Sequence, residues 1–175
     1  MILPKISIPV PPWGAVADWH EANRCIDLHV NCNPTRLKPA VTLSEGLRHQ
    51  LQSIFPILDD LCAKTCPWCP EPCCLIASPW YDLRDLIFLH LNHLAIPLAQ
   101  PIDNYQAVCC YAGSNGCTLP RIIRPWICTW YMCPVQKANL KKNDINQWMR
   151  FDRSIQEIKV ARKQLEEDYI RIIAK

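Results

Sequence analysis

Thr42-Leu-Ser-Glu-Gly-Leu-Arg-His-Gln-Leu-Gln-Ser-Ile-Phe-Pro-Ile-Leu-Asp-Asp-Leu-Cys62 is the stretch that decides the fold class. Thr42 and Glu45 stand in the spacing of a capping box, which satisfies the first free N–H groups of a helix. Leu47, Leu51, Ile54, Leu58 and Leu61 then repeat every three or four residues, the period of one helix face. Pro56 lacks an amide proton and is expected to kink or split the helix. The apolar face runs directly into Cys62-x3-Cys66-x2-Cys69-x3-Cys73-Cys74, where Pro67, Pro70 and Pro72 forbid regular structure and imply a loop. A helix therefore delivers the chain into a knot of thiols.

Reading outward, Val16 to Val30 is expected to form a short helix that ends before Asn33-Pro34. Residues 1–14 are proline-rich and read as an extended arm. Ser78-Pro79 marks the start of a helix over about 80–95, with Leu83, Leu86, Ile87, His90, Leu91 and Leu94 as its stripe and Pro97 closing it. Residues 97–136 read as loop, with a turn at Gly113-Ser-Asn-Gly116 and the second knot, Cys109-Cys110-x6-Cys117-x10-Cys128-x4-Cys133. A long helix over 143–173 has Ile145, Trp148, Met149, Ile155, Ile158, Leu165, Tyr169 and Ile173 on one face. Strand signals are few. The reading is mainly α: a small helical domain whose two cysteine-rich loops converge on a metal centre. Residues 1–175 form a single domain in this reading, with 62–134 as its cysteine-rich core.

Half of the residues are apolar and a fifth are charged, which fits a chain with a packed core. The net charge of +3 is too small to point to nucleic acid. No apolar run reaches membrane-spanning length, so no membrane partner is expected. The N-terminal sequence Met1-Ile-Leu-Pro-Lys-Ile lacks the pattern of a secretory leader, which leads to an expected cytoplasmic location and reduced thiols.

Twelve cysteines are present and ten of them lie between Cys62 and Cys133. In a reducing compartment such clusters bind metal more often than they cross-link. Cys66-Pro-Trp-Cys69 can aim two sulfurs at one ion, and Pro67 reduces the entropy lost in fixing the turn. A redox dithiol of the thioredoxin kind needs a helix after the pair, and Pro70-Glu-Pro72 blocks one. Adjacent cysteines in Cys73-Cys74 and Cys109-Cys110 point in different directions, so both members of a pair do not serve one ion. Cys25, His29 and Cys32 share a helix face that reads as core packing.

The order of these residues resembles the cysteine-rich, YkgJ-like proteins described as zinc- or iron-chelating. Cys66, Cys69, Cys73 and Cys74 match the family's C-x2-C-x2-CC element, and a helix follows as expected. Cys109 or Cys110 stands where the family has a lone cysteine. Gly116-Cys117 and Arg124-Pro125-Trp-Ile-Cys128 match its last element. The chain departs by one residue inserted before Cys73-Cys74 and by two extra cysteines, Cys62 and Cys133. The cysteine pattern is also similar to the cysteine-rich part of FliB-type lysine methylases, which implies an iron–sulfur cluster but not methylase activity.

The ligand set expected from these readings is Cys66, Cys69, Cys73, Cys74, Cys110, Cys117, Cys128 and Cys133. An all-cysteine set suits a 4Fe-4S cluster or zinc, and the lack of histidine in both knots favours the cluster. Arg121 and Arg124 are placed to offset thiolate charge, and tryptophans beside the cysteines to exclude water. The Asp82, Asp85, His90 and His93 positions share a helix face that reads as partly exposed surface. No phosphate-binding glycine loop, serine-nucleophile elbow or zinc-protease motif occurs. The expected function is a metal-binding module with a structural or electron-transfer role and a protein partner. A structural zinc module and a cluster-dependent enzyme are the alternatives, and no catalytic residue is assigned.

Overall fold

The computed structural model describes residues 8–102, 108–113 and 116–174, without the side chain of Cys74. The chain is mainly α. Its elements are α1 (Val16–Cys32), α2 (Pro34–Thr65), the single turn α3 (Cys73–Ile76), α4 (Leu83–Leu91), α5 (Trp126–Trp130), α6 (Pro134–Asn143) and α7 (Ile145–Ile173). Residues 112–113 and 116–117 pair as a two-residue antiparallel ladder, in which Gly116 takes a φ of 106° that disfavours any side chain. Positions 1–7 of the expected arm, and 114–115 of the expected turn, lie outside the described residues.

The long helix α2 starts at Pro34, well before the expected cap at Thr42. Proline is favourable at a first helical position because its missing N–H has no intrahelical partner there. Leu37, Ala40, Ser44 and Leu47 are all buried, so the apolar stripe extends back through that first section. Thr42 caps nothing; its hydroxyl donates to the Lys38 carbonyl at 3.2 Å. Nor does Pro56 split the helix. Leu51, Ile54, Leu58 and Leu61 remain buried on both sides of it, and their packing outweighs one lost backbone bond.

The core lies where α2 packs along α7, with α4 wedged against α1, α2 and α7. Leu47, Leu58, Leu86, Ile87, Leu89, Leu91, Ile158 and Leu165 are essentially inaccessible. Each contributes roughly 1.5–3 kcal/mol by burial. On the other side of α1, Trp13 packs on Trp19, and Trp19 on Tyr81 with ring centroids 5.3 Å apart. The Trp19 indole donates to the Pro97 carbonyl at 2.9 Å, and the Tyr81 hydroxyl to the Ile123 carbonyl at 2.6 Å. Gln100 closes this corner by pairing with both the N–H and the carbonyl of Tyr81. The loops that carry the second knot are thus pinned to the helical core.

Helix α4 is shorter than the expected 80–95 and is capped by Asp82 rather than Ser78. It ends at Leu91 because the Asn92 amide turns to Ser44 and the Phe88 carbonyl, and His93 then adopts a positive φ of 50°. Asp85 corrects the expectation of an exposed face, since it is 4% exposed. It pairs with Arg162 of α7 at 2.9 Å and accepts the Trp126 N–H at 3.2 Å. Arg162 also meets Asp82 at 3.2 Å and lies over the Trp126 ring. His90 shares a hydrogen bond with Asn23, and burial lowers its pKa. Cys25 and His29 do pack inward, His29 against the Tyr169 hydroxyl at 2.7 Å, whereas Cys32 is exposed. No helix among the described residues is long and apolar enough to cross a membrane.

Candidate metal centre

The last turn of α2 places Cys62 and Cys66 one helical turn apart, with the Cys66 N–H bonded to the Cys62 carbonyl. The Cys62 thiol lies near enough to Cys66 to act on its ionisation. The chain then tightens through a 3-10 turn at Cys66–Trp68, and the Cys69 N–H bonds back to the Cys66 carbonyl at 3.2 Å. Pro72 precedes α3, whose first residue, Cys73, lies near enough to Cys66 to act on its ionisation. Partial burial, and then the neighbouring Cys62, push the Cys66 thiol up to about 11.

Helix α6 approaches the same spot from the far end of the second knot. The sequence predicts loop up to residue 136, but Cys133 is the N-cap of this helix. Its sulfur accepts the Gln136 N–H at 3.5 Å, and the Gln136 carboxamide oxygen accepts the Cys133 N–H at 3.2 Å. This is a capping box with cysteine in the position of serine. The other end of the carboxamide points at α2. Gln136 Nε2 donates to Thr65 Oγ1 at 2.7 Å and stands 3.7 Å from Cys62 Sγ and 3.8 Å from Cys66 Sγ. Arg121, anchored on Asp59 at 2.6 Å, reaches Cys62 Sγ at 3.6 Å. Two N–H donors from outside α2 therefore converge on its terminal thiols.

A second group forms on the short ladder and α5. Cys109, Cys117 and Cys128 lie close enough to influence one another. Burial pushes Cys128 up to about 12, the nearby Cys117 and Cys109 add to the shift, and Arg124 opposes it. Arg124 is fixed by its Nε bond to the Leu119 carbonyl at 2.9 Å. Cys110 donates to the Gln100 carbonyl at 3.6 Å.

Of the expected ligands, Cys66 and Cys73 belong to the first group, and Cys117 and Cys128 to the second. Cys69 is exposed at the end of its turn, and the side chain of Cys74 lies outside the described residues. Cys133 belongs to the α6 cap. Cys62, Cys109 and Gln136 were not assigned from sequence, although Cys133-x-x-Gln136 carries the spacing of a capping box. The two arginines divide: Arg121 goes to Cys62 and Arg124 to the second group. Trp68 is 84% exposed, and the Trp126 and Trp130 rings pack against each other at a tilt. Among the described residues no three histidine, cysteine, aspartate or glutamate side chains stand close enough to hold one metal ion. Compared with protein-family models, curated proteins and solved structures, the chain matches none.

Proposed function

We propose that the chain is a thiolate metal-binding module that carries an iron–sulfur cluster of the 4Fe-4S type in a structural or electron-transfer role. The observation that supports it is the pair of N–H donors, from Gln136 and Arg121, aimed at the sulfurs of Cys62 and Cys66. A neutral thiol is a weak acceptor, whereas a metal-bound thiolate is charged and is tuned by such bonds. The donor chemistry fits: the groups gathered here are soft sulfur ligands, and the two most buried histidines are engaged with Tyr169 and Asn23. Residues of the first group, with cysteines from the second knot, would hold the cluster; bound, it supplies one-electron chemistry or a cross-link between loops. What the chain itself does is orient the sulfurs by the α2 terminus and neutralise charge through Arg121 and Arg124.

The thiols start protonated, as the raised Cys66 and Cys128 values indicate, so loading releases protons and weakens as pH falls. A reducing compartment such as the cytoplasm keeps them available. Exposed Trp68, Leu75 and Ile76, next in sequence to Cys66 and Cys73, offer apolar surface for a protein partner that exchanges electrons. Iron, acid-labile sulfide and zinc should be measured per chain after anaerobic purification, in the wild type and in Cys66→Ser. The reading expects iron and sulfide in near-equal amounts, lost in the variant. Zinc alone would replace the cluster by a structural site, and a chain that takes up neither metal on reconstitution would refute the proposal.

A further inference from the structure

We propose that the cleft between α5, α6 and α7 is a binding site for a small aryl carboxylate, a single aromatic ring that carries one negative charge. The site stands apart from the thiols and does not depend on the metal-binding reading. Helix α7 brings Trp148, Phe151, Asp152, Ile155 and Lys159 to one side by their spacing of three or four residues. Trp130 of α5 and Lys137 of α6 close the cleft. Phe151 and Ile155, each 3% exposed, join it to the core. Both indoles are already held in place. Trp148 packs on Phe151 with ring centroids 6.1 Å apart, and Trp130 on Trp126 at 5.8 Å. The space is about 220 Å³. A cavity of about 150 Å³ takes a benzene molecule, and drug-sized ligands need about 300 Å³ or more. One ring with a short carboxylate arm fits this space, and a nucleotide does not.

The charges around the cleft select the head group. Lys137 Nζ lies 4.8 Å from the centroid of the Trp148 ring, and Lys159 Nζ 4.7 Å from that of Trp130. Lys141 also covers Trp148, at 4.8 Å, but does not line the cleft. Among the described residues, the lysines that pair with carboxylates are Lys64, with Asp60, and Lys163, with Glu167. Lys137 and Lys159 rest on indole faces instead. An ammonium has three N–H donors, and a carboxylate accepts them more strongly than a ring face does. Of the lining side chains, Lys137 and Lys159 against Asp152 leave a single positive charge. That balance matches a monoanion better than a doubly charged phosphate, which Asp152 would repel more strongly. The aromatic walls add offset or edge-to-face packing for a ligand ring, which a bare anion lacks.

Sodium phenylacetate is the probe, titrated into the full chain at constant ionic strength and followed by isothermal titration calorimetry. The wild type should give a saturable one-site isotherm. Acetate, which lacks the ring, and benzyl alcohol, which lacks the charge, should each bind at least about tenfold more weakly. Lys137→Gln combined with Lys159→Gln should lower the affinity about tenfold or more, and Lys141→Gln by less than about threefold. Bound phenylacetate should also protect Lys137 and Lys159 from acetylation, read by peptide mass spectrometry, while Lys163 stays reactive. Acetate binding as tightly as phenylacetate would reduce the cleft to a patch of surface charge and overturn the proposal. So would equal losses in Lys141→Gln and the double variant, or no saturation up to about 20 mM probe. Should a variant fail to fold, the acetylation pattern of the wild type decides. Protection confined to Lys137 and Lys159 supports the site, and labelling of both unchanged by phenylacetate refutes it.

Discussion

Replacing Asp85 by alanine should be among the most damaging single changes in the helical core. Asp85 and Arg162 are each 5% exposed at the side chain and meet at 2.9 Å. Removing the carboxylate leaves the guanidinium with Asp82 alone, at 3.2 Å and with a side chain 38% exposed. It also strips the Trp126 N–H of its acceptor and opens the capping box at the start of α4. Breaking a buried pair by deleting one partner costs about 3–5 kcal/mol. The lost cap and the orphaned N–H are worth about 1–2 kcal/mol each but share the same carboxylate, so they do not add in full. The expected loss is therefore about 3–5 kcal/mol, a large part of a typical domain's 5–15 kcal/mol. Urea unfolding followed by far-ultraviolet circular dichroism, anaerobically and with reductant, measures it. Asp85→Leu combined with Arg162→Met should recover much of the loss, because an apolar pair replaces a desolvated ionic one. A loss below about 1 kcal/mol in Asp85→Ala would refute the claim that this pair fixes α4 on α7.

Alkylation with iodoacetamide near neutral pH, read by peptide mass spectrometry, should label exposed Cys69 early and Cys128 late, because burial holds the Cys128 thiol protonated up to about 12. Prompt labelling of Cys128 in the folded chain would contradict that burial. The same group contributes to an alkaline slope: unfolded Cys128 ionises near its ordinary 9.0 while the folded thiol keeps its proton, so its share of stability should fall as pH rises from 9 toward 12. Cys128→Ala should make that slope shallower, and an unchanged slope would assign it to other groups. Leu58→Ala, at a fully buried position between α2 and α7, should cost about 2–5 kcal/mol in urea unfolding, while Trp68→Ala, 84% exposed, should fall within about 0.5 kcal/mol. Equal costs for the two would contradict the packing described.

The helical class and most elements were legible because their apolar stripes are long. Leu47 to Leu61 marked α2, and Ile155 to Ile173 marked α7, both by their 3.6-residue period. Boundaries were not, since caps compete locally. The Thr42–Glu45 signature was overridden by a proline at the true start and by Leu37 and Ala40 continuing the buried face. Asn92 ended α4 by a side-chain contact to Ser44, 48 residues away, which no local pattern encodes. The thiol-rich ends were legible as chemistry and not as arrangement. Cys62 reads as the last residue of an apolar helix, and its pairing with Cys66 appears only once α2 is known to continue through Thr65. Gln136 was hidden because cysteine is an unusual N-cap, and its second partner set lies some seventy residues earlier on α2. The Asp85–Arg162 pair is likewise long-range, and only the fold turns two surface-type residues into core.

The central claim is that these thiols hold a metal group in the working protein, and native mass spectrometry of the full chain purified without oxygen tests it most directly. The account predicts one added mass that matches an iron–sulfide cluster on the intact chain, with Cys62 and Cys66 protected from alkylation until a chelator is added. A chain that carries no metal mass, with those same cysteines freely alkylated, would contradict it.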